Sequence, residues 1–127
     1  MNSRGQVKLS DFGIAAVLEE TKDMSFTCIG TFRYMSEDRL LGEAYNASSD
    51  IWSTAVMLIE LWSKRYPFED CCTSPVDLVQ ALEDISLSHR GMASIIPTNC
   101  SHSMAQFLYY LLTTESKKVD RAKTETG

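Results

Sequence analysis

The chain has 127 residues, 44% hydrophobic and 23% charged, the composition of one ordinary soluble domain and not of a disordered segment. Twelve Lys and Arg against seventeen Asp and Glu give a formal net charge of -5. This argues against the basic surface that nucleic acid or an anionic membrane requires. The cysteines Cys28, Cys71, Cys72 and Cys100 lack zinc-site spacing. Without a signal peptide they read as reduced intracellular thiols.

In chain order, Asn2, Ser3, Arg4 and Gly5 form a turn signature, and Gln6 to Leu9 alternates as a short strand would. A weakly patterned stretch from Asp11 to Phe32 reads as a long loop, a feature that is often functional. Ser49 and Asp50 offer an N-cap to the apolar run IWSTAVMLIELW, predicted as a helix over about 49–63. Trp52, Val56 and Ile59 share one face of it, with Trp62 close by, while Ile51, Ala55, Met57 and Leu58 fill the others. A helix apolar nearly all round is expected to be buried on most sides. Glu60 interrupts the run, which is well short of the ~20 residues a membrane span needs.

Ser74 as N-cap with Pro75 at the first position predicts a helix over about 75–87, with Val76, Val79, Leu82 and Ile85 at helical spacing. Ser101 or Ser103 starts a last helix, about 102–114, carrying Phe107, Leu108, Leu111 and Leu112. A polar tail, 117–127, is expected to fray.

Asp11-Phe12-Gly13 follows the short strand. A carboxylate at a strand end can hold Mg2+ against ATP phosphates, and the glycine frees the backbone. On its own the tripeptide reads equally as a tight turn with a buried Phe. Seventeen residues after Gly13 comes Gly30-Thr31-Phe32-Arg33-Tyr34-Met35. It is followed by Ser36-Glu37-Asp38-Arg39-Leu40, Asp50-Ile51-Trp52-Ser53 and Arg65-Tyr66-Pro67-Phe68. As an ordered set these motifs resemble the C-terminal lobe of eukaryotic protein kinases, most of all the MAP kinase kinase group of dual-specificity Ser/Thr/Tyr kinases.

The resemblance covers roughly Asn2 to Lys118. It implies a mainly α fold, a partial kinase-like C-lobe with a short β-hairpin remnant, an activation segment over 11–38 and three helices. It makes Asp11 the Mg2+-binding Asp, with Phe12 and Gly13 completing the ATP-side motif. It places Thr27, and Ser25 beside it, as candidates for phosphorylation in the activation segment. Thr31 becomes the Thr of the substrate-docking loop, and Asp50 the Asp that caps the central helix. Trp52 is a core residue, and Asp38 the acid that pairs with a buried Arg near the chain end.

Several kinase parts have no counterpart here. No G-x-G-x-x-G occurs, Lys8 lies just before Asp11 on the wrong strand to be the phosphate-binding Lys, and His89-Arg90-Gly91 is not the catalytic loop H-R-D-x-x-x-x-N. Val119 stands where the partner Arg of Asp38 belongs, leaving only Arg121 near, and Ala55 replaces a helix glycine. The chain is therefore expected to begin just past the catalytic loop and to be about half of a two-lobed kinase domain.

Mg2+ and ATP are expected as cofactors of the parent family, without productive binding by this chain alone. The expected function is that of a fragment of an ATP-dependent protein kinase of a MAP-kinase-type cascade, cytoplasmic or also nuclear. The alternative is a non-catalytic module that binds a cascade kinase or substrate. Expected partners are a protein substrate or cascade kinase, and further copies of the chain through exposed apolar surface; neither nucleic acid nor membrane is expected.

Overall fold

The computed structural model describes the backbone of residues 1–10, 31–43 and 47–125, and the side chains of residues 1–10, 32–43 and 47–114. It is mainly helical. The α-helices are α1 (Glu37–Leu40), α2 (Ala47–Ser63), α3 (Pro75–Leu87) and α4 (His102–Glu125), with 3-10 turns at Thr31–Tyr34 and Gly91–Ile95.

The expected strand at Gln6–Leu9 does not form, and no strand occurs among the described residues. Asn2 Oδ1 accepts the backbone N–H groups of Arg4 and Gln6 at 3.0 and 3.1 Å, so Gln6 is spent on the turn. Val7 and Leu9 are exposed. A ladder needs a second strand, and the described residues supply none.

α2 is the central element and packs mainly on α4. Its buried stripe is Ser48, Ser49, Trp52, Ala55, Val56 and Ile59. The expectation of burial on most sides fails on the opposite face, where Leu61 is 67% and Met57 45% exposed. Trp62 is also half exposed, its Nε1 donating to Asn99 Oδ1 at 3.2 Å. The helix begins at Ala47, earlier than predicted, so Asp50 lies in its first turn and is not its cap. A carboxylate there still favours the positive end of the helix dipole. Lys64, at φ 55°, takes the left-handed conformation that ends the helix.

From there Tyr66 and Phe68 turn back into the core. Tyr66 meets Tyr34 and Phe68 edge-on, with ring centroids at 5.9 and 5.6 Å. α3 starts at its sequence signature: Ser74 Oγ accepts the Asp77 N–H at 3.2 Å, with Pro75 at the helix start. Its buried side chains are Leu78 and Leu82, flanked by the partly buried Val79 and Ile85. Val76, expected on that stripe, is 76% exposed, because at helical spacing it falls nearly opposite Leu78 and Leu82. Ser74→Ala should cost about 1 kcal/mol of stability, read as a lower urea midpoint at unchanged slope.

Ser101 Oγ accepts the Met104 N–H at 3.2 Å and so caps α4. Leu108 and Leu112 carry its buried face, while Phe107 stays half exposed. The tail expected to fray from 117 continues as helix to Glu125. Lys, Arg, Ala and Glu are good helix formers, and no Gly or Pro interrupts them before Gly127.

Candidate functional site

The best-defined functional segment in the structure runs from the 3-10 turn at Thr31 through α1. It lies along α2 and is fixed to it by both apolar and polar contacts. Leu40 is buried in the same core cluster as Trp52 and Val56, and Phe32, Tyr34 and Met35 pack against that cluster.

The polar contacts fall on one stripe of α2. Ser49, Ser53 and Glu60 are spaced i, i+4, i+11 and therefore share a helix face. Ser36 Oγ donates to Ser49 Oγ at 3.1 Å, with both residues buried. Ser53 Oγ lies 2.6 Å from the Tyr34 carbonyl and 3.0 Å from the Ser49 carbonyl. Having one proton, it donates to either, and the shorter contact is to the segment 31–40. The Tyr34 hydroxyl donates to Glu60 Oε2. Sequence reasoning missed this stripe: Ser49 was read only as a possible cap, and Glu60 only as a break in an apolar run. The signal was present, since three polar residues recur on one face of an otherwise apolar helix.

Ser53→Ala leaves the half-buried Tyr34 carbonyl without its side-chain donor. It should destabilise the segment by about 1–3 kcal/mol. Hydrogen exchange should then accelerate across residues 31–36 while the middle of α2 stays protected.

The bond to Glu60, and secondarily burial, raises the Tyr34 phenol above the ordinary tyrosine value. A raised folded pKa adds stability that is fully present below the unfolded tyrosine value. That stability is lost as pH rises through the folded one. Melting temperature should therefore fall above pH about 10, and Tyr34→Phe should remove that part of the fall.

Behind the segment, the Tyr66 hydroxyl donates to the Arg33 carbonyl. Burial, and next the nearby Cys72 thiol, push the Tyr66 phenol strongly upward. Cys72 is itself raised, chiefly by burial, with Tyr66 and Arg33 opposing. It packs against the core as a half-buried thiol.

The other predicted site residues are placed as follows. Asp11, Phe12, Gly13, Ser25 and Thr27 lie outside the described residues. Thr31 opens the 3-10 turn, and its side chain is outside them too. Asp50 is exposed on α2, away from the buried stripe, and Trp52 is in the core. Asp38 sits on α1, its carbonyl accepting the Glu43 N–H at 2.8 Å. Among the described residues its carboxylate forms no ion pair, since both pairs there belong to Arg65. Val119 and the Arg121 side chain lie outside them.

No group of three His, Cys, Asp or Glu among the described residues could hold a metal ion. No helix among them is long and apolar enough to cross a membrane.

The model of the protein kinase domain family matches residues 1–123. Mitogen-activated protein kinase kinase 2 of Arabidopsis thaliana is 36% identical over 89 residues, 66% of this chain and 24% of its own length. Mitogen-activated protein kinase kinase SIPKK of Nicotiana tabacum is 44% identical over 68 residues, 54% of this chain and 19% of its own. Dual specificity mitogen-activated protein kinase kinase mek-2 of Caenorhabditis elegans is 46% identical over 67 residues, 53% and 17% of the respective chains. The chain thus spans a quarter or less of these relatives. No solved structure matches it.

Proposed function

The chain belongs to the protein kinase family, and from that premise we propose that it forms the activation-segment and substrate-docking part of a dual-specificity kinase of a MAP-kinase-type cascade. The similarity to the MAP kinase kinase group supports the cascade. The observation that carries the docking role is the segment 31–40, held on α2 by Ser36, Ser49, Ser53 and Glu60. A surface that positions a protein hydroxyl for phosphoryl transfer must be rigid, because misplacement by about 1 Å can cost 100-fold in rate. A segment pinned to the most buried helix meets that need.

In this reading Asp11 holds Mg2+ on ATP, and a phosphate on Thr27 orders the activation segment through charge-assisted hydrogen bonds. These 127 residues contain no H-R-D catalytic loop and no Gly-rich loop. Phosphoryl transfer therefore requires those parts from elsewhere.

The test is a fusion of the chain behind the portion of the Arabidopsis relative that precedes the matched region. With Mg-ATP and a MAP kinase as substrate, the chain alone should transfer no phosphate and the fusion should transfer it. A folded fusion that binds ATP and transfers nothing overturns the reading.

A second reading, a non-catalytic module that binds a cascade kinase, draws on the exposed apolar side chains Met57, Leu61, Phe107 and Tyr110. It predicts that the isolated chain competes with a full-length cascade kinase for its partner. Self-association through the same side chains would appear as a concentration-dependent mass in light scattering.

A further inference from the structure

We infer that Arg33 is an anion receptor within the docking segment, taking a carboxylate side chain from an acidic stretch of a protein partner. The inference rests on the docking role proposed above for residues 31–40.

One buried tyrosine holds Arg33 at two points. The guanidinium carbon lies 4.2 Å from the centre of the Tyr66 ring, and the Tyr66 hydroxyl donates to the Arg33 carbonyl. Tyr66 is only 4% exposed, so the stack has a rigid floor. Cation–π contact of this kind fixes the plane of the guanidinium without neutralising its charge.

Nothing else in the described structure neutralises it. Arg33 Nε is buried and has no hydrogen-bond partner. The two ion pairs among the described residues both belong to Arg65, which takes Glu69 at 2.8 Å and Asp70 at 2.5 Å. The nearby acids are engaged elsewhere: Glu60 accepts from Tyr34, and Asp77 from Thr73. The groups closest to Arg33 are Tyr34, Tyr66 and Cys72, all of which are held in their neutral forms by upward shifts.

Scarcity of acids does not explain this, because Asp and Glu outnumber Lys and Arg among the residues whose side chains are described. Exposed Arg65 is doubly paired, while half-buried Arg33, in the segment expected to meet the partner, has no ion pair among the described residues. A partly desolvated, unpaired cation is unfavourable until an anion arrives. Arg33 is only half-buried, so part of its side chain meets solvent, where a carboxylate can approach. The oriented fork of arginine suits a planar, two-oxygen anion.

The test measures binding of the complete 127-residue chain to two fluorescent peptides by polarisation. One peptide carries Glu and Asp around a central Thr, and the other has Gln and Asn in their places. At low salt the acidic peptide should bind about tenfold more tightly, and the difference should shrink at high salt. Arg33→Gln should abolish the preference. Arg33→Lys, which keeps the charge without the fork, should retain part of it, and Arg90→Gln, an exposed control, should retain all of it.

Circular dichroism confirms that each variant keeps its helices, and Arg33→Lys decides the matter should Arg33→Gln unfold. Equal binding of both peptides by the native chain, or a preference that survives Arg33→Gln, overturns the inference and leaves the docking role standing. Failure of both peptides to bind at millimolar concentration overturns the inference and the docking role together.

Discussion

Trp52→Ala should remove about 3–5 kcal/mol of stability, the largest loss expected from one substitution in the chain. Trp52 is 4% exposed and lies in the single core cluster with Leu40, Val56 and Phe68. Truncation opens a cavity below both the docking segment and the loop that carries Tyr66. Domains of this size are stable by only about 5–15 kcal/mol, so the loss takes a large fraction of the total. Urea denaturation followed by far-UV circular dichroism gives the difference. A loss below about 1 kcal/mol would mean that Trp52 does not occupy the core position described.

Leu108→Ala should cost about 2–5 kcal/mol, and its effect should be concentrated on α4. Leu108 and Leu112 are the buried side chains of that helix, assisted by the partly buried Met104 and Leu111. Losing one of two principal anchors should loosen α4 from α2 before the rest unfolds. Hydrogen exchange should then rise along residues 102–114 while α3 retains its protection. Uniform loss of protection in α3 and α4 would instead show that the helices form one cooperative unit.

Much of the helical framework was legible because its signals are local. Ser74 followed by Pro75 marks the start of α3 through capping chemistry alone, and α3 begins there. The start of α2 was misplaced because Ser48, Ser49 and Asp50 all suit a cap, while Ala47 before them is a good helix former. The phase of α3 was misjudged at Val76 because a β-branched apolar residue in the first turn mimics the buried stripe. Which face is covered depends on Leu78 and Leu82 meeting the core.

The end of α4 was set too early, since polarity was taken as fraying although no helix breaker was present. The candidate site was legible in part. The resemblance put an activation segment over 11–38 with Thr31 in a substrate-docking loop, but said nothing of what holds residues 31–40 on α2. Ser36 to Ser49, Tyr34 to Glu60 and Tyr66 to Arg33 join residues 13, 26 and 33 positions apart, and such pairings are tertiary facts with no local signature. The arginine at position 33 was likewise visible in the sequence, but its lack of an ion pair among the described residues was not.

The most direct test of the account is the steady-state kinetics of the fusion kinase bearing Ser53→Ala and Glu60→Gln together. These changes loosen the docking segment from α2 without touching the core. The account predicts a KM for the protein substrate raised about tenfold or more, with the KM for ATP unchanged. An unchanged KM for the protein substrate, or equal increases in both, would contradict it.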